Sequence, residues 1–151
     1  MNRASALVII FAAIAITGCH FGATPQSFAP AQGPAGVMAS IELSHGTMEA
    51  ELLDVRDSAA VTALVDGTVA RHGRIDYIFN NAGIATLGLT EEIPIENWDE
   101  IIDINLKGVV YGTSAAYRHM VRQGSGHIVN TASLAGLVPS PLLAPYSTVK
   151  F

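Results

Sequence analysis

The sequence predicts an α/β fold, a doubly wound and mainly parallel sheet with helices on both faces. Short apolar runs of strand length alternate along the chain with longer segments of helical periodicity. The run Ile75–Phe79 is apolar except for Asp76 and hardly alternates, as expected for a strand covered on both faces. Polar residues follow several strand ends, which is where ligands of such sheets bind.

Length and composition set the broad class of the protein. With 151 residues the chain has room for one domain with a sizeable core. Half of the residues are hydrophobic and 14% are charged, which favours a globular chain over a disordered one. The net charge of -5 argues against a nucleic-acid partner. A lone cysteine and five scattered histidines predict neither an internal disulfide nor a metal site.

The N-terminus allows two interpretations, and the first is a secreted leader. Ala6–Ile16 is unbroken apolar and follows a start with one positive charge. It is shorter than the roughly 20 residues of a membrane span but has the length of a signal-peptide core. The sequence before Cys19 is similar to a lipoprotein cleavage box, and His20–Gly36 has the composition of a linker. Residues 1–36 would then be a leader and linker, with a lipid anchor on Cys19.

The second interpretation makes the same region the start of the sheet. Ala13–Ile16 would be a buried strand, and Gly18 and Gly22 would open a phosphate-binding turn. Glycines let the backbone turn tightly and approach a pyrophosphate. Thr24 stands where a third glycine is usual, and the helix that should follow would be broken by three prolines, Pro25, Pro30 and Pro34. Both interpretations stay open on the sequence.

The next segment predicts two strands and a helix. Val37–Leu43 is the predicted second strand, with Glu42 near its end as a candidate for a ribose hydroxyl. Met48–Val55 is predicted as a further short strand that ends at Asp54. A helix starts at the signal Arg56-Asp57-Ser58 and stops at Gly73. Its buried face is expected to consist of Val61, Leu64, Val65, Thr68 and Val69.

The remaining elements follow in the same order. Small and polar residues, Asn80 to Gly83, come directly after the strand Ile75–Phe79. A long helix is predicted next, with Asn105 on its apolar side, where a buried amide must find partners. His127–Thr131 predicts another strand. The last predicted helix begins near Pro145, a residue tolerated in a first turn, and runs to Phe151.

Five motifs stand in a fixed order in this part of the chain: Leu53-Asp54-Val55, Asn80-Asn81-Ala82-Gly83, Asn105-Leu106-x-Gly108, Ile128-Val129-Asn130-x-x-Ser133 and Tyr146-x-x-x-Lys150. Tyr-x-x-x-Lys alone is frequent by chance, but the whole set in this order is specific. With it the chain resembles the short-chain dehydrogenases/reductases over residues 48 to 151. The resemblance implies a Rossmann-like, partial dinucleotide-binding domain over residues 37–151, with NAD or NADP as cofactor.

The resemblance also implies a role for each matching residue. Tyr146 would be the acid/base, Lys150 its electrostatic partner and ribose ligand, and Ser133 the group that orients the substrate oxygen. Asn105 would be a relay residue and Asp54 an adenine contact. The cofactor would be lined further by Asn81, Ala82 and Gly83, with Gly18 and Gly22 as the phosphate turn. The implied substrate is a small alcohol or ketone, and the long helices imply a homo-oligomer.

These residue types suit the implied chemistry. Hydride reduction of a ketone leaves an alkoxide that needs a proton, which a phenol can supply if its phenolate is stabilised. Lys150 lies one helical turn beyond Tyr146, so the two share a face. An ammonium about 5 Å from a phenolate, at an effective dielectric of about 20, stabilises it by about 3 kcal/mol. Ser133 can donate to the oxygen on which charge develops.

Two other functions compete with the dehydrogenase interpretation. An α/β-hydrolase needs Gly-x-Ser-x-Gly, but Thr131 and Ala135 occupy the outer positions and no histidine follows Ser133. The second rival is a catalytically inactive fragment, since the strands and substrate segment of the family would follow Lys150. In this alternative the fragment carries a lipid anchor on Cys19. We expect an oxidoreductase in the cytoplasm, where nicotinamide cofactors are available.

Overall fold

The computed structural model describes the backbone of residues 7–10, 39–43 and 46–50, and residues 51–151 in full. The chain divides into two compact units, residues 18–53 and the remainder. The strands are β1 (Leu7–Ile10), β2 (Ala39–Leu43), β3 (Gly46–Ala50), β4 (Tyr77–Asn80) and β5 (His127–Asn130). The helices are α1 (Ser58–His72), α2 (Ile95–Ile101), α3 (Gly108–Gln123) and α4 (Ala144–Lys150). A π-helical segment, Ile102–Lys107, joins α2 to α3, and Thr90–Glu92 and Leu134–Gly136 form 3-10 turns.

A parallel three-stranded sheet organises the larger unit. Its strand order is β1-β4-β5, with Tyr77 opposite Leu7 on one side and His127 on the other. The two strands predicted around residues 75–79 and 127–131 are therefore confirmed, with ends shifted by one or two residues. Because all three strands run the same way, their carboxyl ends lie at one edge, as sites in such sheets require.

The first strand lies earlier in the apolar run than predicted. Leu7–Ile10 contains Val and two Ile residues, which favour extended backbone, and it pairs with β4. Ala13–Ile16 lies outside the described residues, as do Gly18, Cys19 and Gly22. The glycine turn and the lipidation box remain predictions from the sequence.

The smaller unit contains an antiparallel hairpin, which corrects two predictions. Val37–Leu43 was expected to enter the parallel sheet, but its strand β2 pairs antiparallel with β3. Only two residues separate the strands, whereas parallel pairing needs a crossover of a dozen or more. Glu42 lies opposite Thr47 in this hairpin, not at the end of a parallel strand. The predicted strand Met48–Val55 is confirmed for Met48 to Ala50 and wrong beyond them, because β3 ends at Ala50.

Helix α1 has the ends that the sequence predicts. The Asp57 carboxylate caps its N-terminus by accepting hydrogen bonds from the Ala59 and Ala60 amides at 2.9 and 3.1 Å. Gly73 ends the helix in the left-handed conformation, with φ of 74°. Three residues of the predicted apolar face are buried, namely Val61, Val65 and Thr68.

Helix α3 packs between the sheet and α1. It covers the sheet face that carries Ile78 and Asn80, and Thr113 bonds to the Asn80 amide. Gly112, Ala115 and Ala116 are buried on α3, so small side chains allow the close approach. On the opposite sheet face Tyr77 and Val129 are exposed, so the described helices cover one face of this sheet.

An ion-pair cluster joins the outer surfaces of α1 and α3. The Asp66 carboxylate lies 2.6 Å from His119 Nε2 and 2.7 Å from Arg118 Nη2. The hydrogen bond with His119, followed by that with Arg118, lowers the pKa of Asp66 below its ordinary value. The cluster is half-exposed, so it contributes little stability compared with the apolar contacts beneath it.

Of the helices in the described ranges, none combines the length and apolar character needed to cross a bilayer.

Candidate active site

The carboxyl ends of β4 and β5 are tied together by asparagines. Asn80 and Asn130 are register partners, and Asn80 Nδ2 donates to Asn130 Oδ1 at 2.8 Å. The same Asn80 nitrogen lies 3.2 Å from Thr113 Oγ1 on α3. Asn80 is buried, so the two bonds of its side-chain nitrogen replace those that water would make to that nitrogen. The strand ends and helix α3 thus form one polar junction beside the predicted site.

Thr131, directly after β5, connects more site residues than the sequence indicated. Its amide donates to the Asn80 carbonyl at 3.1 Å, and its hydroxyl donates to Asn81 Oδ1 at 2.8 Å. Its carbonyl accepts from Lys150 Nζ at 2.7 Å. From the sequence, Thr131 was predicted to end a strand and was noted as a mismatch to the hydrolase motif, with no role in the site. The sequence feature that could have identified Thr131 is a hydroxyl residue at the end of β5, between the motif residues Asn130 and Ser133.

Asn105 anchors the loop that follows β4. Its Oδ1 accepts from the Ile84 amide and its Nδ2 donates to the Ile84 carbonyl, both at 2.8 Å. With 3% of its surface exposed, Asn105 is held as a buried amide that pairs with one peptide unit. The prediction that a buried amide must find partners is confirmed. Its relay role, implied by family resemblance, stays a prediction.

The π-helical segment explains how Asn105 reaches that loop. The Gly108 amide donates to the Asp103 carbonyl, five residues back, so this turn is wider than an α-turn. A Cβ on Gly108 would come within 3.3 Å of Val55 Cγ2, so glycine permits close packing there. The sequence predicted one long helix because a single widened turn leaves the apolar periodicity nearly unchanged.

Ser133 caps the 3-10 turn Leu134–Gly136. Its Oγ accepts a hydrogen bond from the Ala135 amide at 3.2 Å. This bond uses an acceptor lone pair and leaves the hydroxyl proton of Ser133 free to be donated. The side chain can therefore cap the turn and donate to a substrate oxygen at the same time.

Tyr146 and Lys150 lie on one face of α4, as their spacing predicts. Lys150 Nζ lies 5.7 Å from the centroid of the Tyr146 ring. Pro145 occupies the first turn of this helix, where its missing amide proton costs nothing. Helix α4 packs against the Ser133-capped turn and against the π-helical segment of Asn105. The elements that carry the four predicted catalytic residues therefore come together.

Asp54 is engaged by a nearby arginine. Its carboxylate accepts from Arg56 Nε at 2.9 Å and from Arg56 Nη2 at 2.6 Å. These hydrogen bonds, which outweigh partial burial, lower the pKa of Asp54 below its ordinary value. Asp54 therefore offers an ionised carboxylate just before α1. Its predicted adenine contact remains a prediction.

Comparison with known proteins then identifies the family. The short chain dehydrogenase family model matches residues 14–151. The chain belongs to the short chain dehydrogenase family. The matched range includes Gly18 and Gly22, whose role in a phosphate turn stays a prediction.

Individual relatives agree with this assignment. The D-threitol dehydrogenase of Mycolicibacterium smegmatis is 36% identical over 121 residues, which are 80% of this chain and 46% of that protein. The solved structure of NAD+-bound xylitol dehydrogenase has a TM-score of 0.62 and 38% identity over 64% of this chain and 38% of that one. ElxO with NADP bound has a TM-score of 0.63 and 33% identity over 65% of this chain and 40% of that one.

The chain spans less than half the length of these three proteins. Within that span the predicted fold class is confirmed. It is a Rossmann-like α/β fold in which parallel strands alternate with helices.

The Asn105 anchor generates a stability prediction. Replacing Asn105→Ala leaves the Ile84 amide and carbonyl without partners, which we expect to lower the free energy of unfolding by about 3 kcal/mol. Urea denaturation followed by circular dichroism measures the change. Asn97→Ala is the matched control, because Asn97 makes one long bond of 3.4 Å to Thr86. Equal losses for the two variants would contradict the assigned anchor.

Proposed function

We propose that the protein is an NAD(P)-dependent oxidoreductase that transfers a hydride between a nicotinamide cofactor and an alcohol or ketone. The observation that carries the proposal is the placement of Lys150 Nζ beside the Tyr146 ring, on a helix that packs against the Ser133-capped turn. The relatives are consistent with it, since a D-threitol dehydrogenase and structures with NAD+ and NADP are among them.

The described residues fit a nicotinamide nucleotide at this sheet edge. Lys150 is an ammonium with three protons, one of which bonds to the Thr131 carbonyl, so two can meet ribose hydroxyls. Asn81, Ala82 and Gly83 follow β4, and two of these three side chains are small enough to leave room for a ligand. Asp54 supplies an ionised carboxylate for the adenine end. When bound, the cofactor supplies or accepts the hydride.

The chain's own residues handle the proton. In ketone reduction the Tyr146 hydroxyl gives its proton to the substrate oxygen as that oxygen gains charge, and water later restores the proton. The Lys150 ammonium stabilises the phenolate that Tyr146 leaves behind. Ser133 donates its free hydroxyl proton as a hydrogen bond to the same substrate oxygen. In alcohol oxidation each of these steps runs in reverse.

The role of Tyr146 is tested by removing its hydroxyl. We expect Tyr146→Phe to lower turnover by about 10²- to 10⁴-fold, because the substrate oxygen loses its proton donor. NADH and NADPH fluorescence titrations should give unchanged dissociation constants, since the ring remains.

Tyr77→Phe is the matched control for this experiment. Tyr77 begins β4, at the opposite edge of the sheet from the site, so its variant should keep full activity. Retained turnover in Tyr146→Phe would remove Tyr146 from its role.

We further propose that the protein is a homo-oligomer. Four apolar residues of the π-helical segment and α3 are between 47% and 61% exposed, and they follow one another at helical spacing: Leu106, Val110, Tyr117 and Val121. An apolar stripe of this length on a surface helix is typical of an interface. A second copy of the chain is the proposed partner, in line with the family.

The stripe is tested by adding charge to it. We expect Val110→Glu to convert the oligomer into a monomer, because an unpaired carboxylate would be buried at the interface. Size-exclusion chromatography with light scattering measures the mass. Ala70→Glu, at an exposed position of α1, should leave the mass unchanged. A monomeric parent protein would rule the proposal out.

We propose a cytoplasmic location, because nicotinamide cofactors are available in the cytoplasm. Cys19, the alternative lipid-anchor position, lies outside the described residues. We expect no incorporation when cells that make the protein are labelled with a fatty-acid analogue. Labelling of the parent protein that disappears in the Cys19→Ser variant would contradict a cytoplasmic location.

A further inference from the structure

The 3-10 turn Leu134–Gly136 touches the backbone of Lys150. Gly136 is buried, and a Cβ built on it would lie 2.6 Å from the carbonyl carbon of Lys150, 3.2 Å from Lys150 Cβ, and closer still to the Lys150 carbonyl oxygen. The two nearest of these atoms are backbone, which cannot rotate away as the end of a long side chain can. Only glycine permits this approach.

Both sides of this contact are fixed by hydrogen bonds. On the turn side, the Gly136 amide donates to the Ser133 carbonyl at 3.0 Å, and the Ser133 hydroxyl accepts from the Ala135 amide. On the helix side, Lys150 Nζ donates to the Thr131 carbonyl at 2.7 Å. Gly136 thus lies at a fixed place relative to Ser133 and in direct contact with Lys150.

We propose that Gly136 is a positioning residue of the active site, one that sets the spacing between the Ser133 hydroxyl and the Tyr146–Lys150 pair. The inference rests on the proposed function, because it assigns Gly136 its effect through those three residues. Gly136 touches no substrate atom itself. It brings the last turn of α4 against the turn that Ser133 caps, so the proton donor and the hydrogen-bond donor face one substrate oxygen.

A methyl group at this position must move one of the two elements. Two hydrogen bonds hold the Ser133 turn within itself, whereas one bond from a long side chain ties Lys150 to Thr131, so we expect the displacement to fall on the end of α4. Misplacement of a catalytic group by about 1 Å costs about 100-fold in rate. Misplacement of the Lys150 ammonium also weakens the electrostatic support that it gives to the phenolate in the proposed reaction.

The test compares Gly136→Ala with Gly67→Ala in the full chain. Gly67 lies in α1, and its added Cβ would meet only the mobile end of the Arg71 side chain, at 3.1 Å. We expect kcat in Gly136→Ala to fall about 100-fold, with the KM for substrate changed far less. Gly67→Ala should match the parent protein in both kcat and KM.

Amide hydrogen exchange gives a second measurement that needs no turnover. We expect faster exchange over α4 in Gly136→Ala, with α1 and α3 unchanged. If the parent protein shows no activity, the proposed function fails, and this exchange pattern still decides whether Gly136 holds α4. Unchanged kinetics and exchange would overturn the inference. Global unfolding of Gly136→Ala would overturn it too, because the clash is confined to the end of α4.

Discussion

The pairing of the Asn105 amide with the Ile84 peptide is the contact on which the site depends. It joins the helical layer to the loop after β4, the loop that begins with the predicted cofactor residues. Gln123, at the other end of α3, makes the same kind of pair with Ile75, just before β4. Strand β4 is therefore held at both ends by side-chain amides from one helical layer. The Asn105 pair is buried and therefore costly to break, because neither partner can turn to water.

The atoms with proposed catalytic roles also have structural roles. The Ser133 oxygen caps a turn and still has a proton to donate. The Lys150 ammonium bonds to Thr131 and still has two protons for a ligand. The protein need not form new contacts to prepare these groups, because the fold already orients them. This is the preorganisation that electrostatic catalysis requires.

Two glycines, which have no side chain, also shape the site, because they allow neighbouring elements to approach closely. Gly108 lets the start of α3 approach Val55, and Gly136 lets the end of α4 approach the turn after β5. Each glycine permits a close approach between two elements that carry or adjoin predicted site residues. The motif Asn105-Leu106-x-Gly108 includes the first of these glycines, whereas none of the five motifs includes Gly136.

The sequence by itself determined the alternation of elements, the ends of α1 and the shared face of Tyr146 and Lys150, because caps, periodicity and i,i+4 spacing are local properties. It failed for Glu42 and for the end of the predicted strand Met48–Val55, since strand partners depend on distant residues and on connection length. Only the tertiary structure decided that Thr131 links Asn81 to Lys150, that Asn105 sits in a π-helical turn, and that Gly136 meets Lys150. These contacts join residues far apart in the chain, and no local pattern encodes the distances between them.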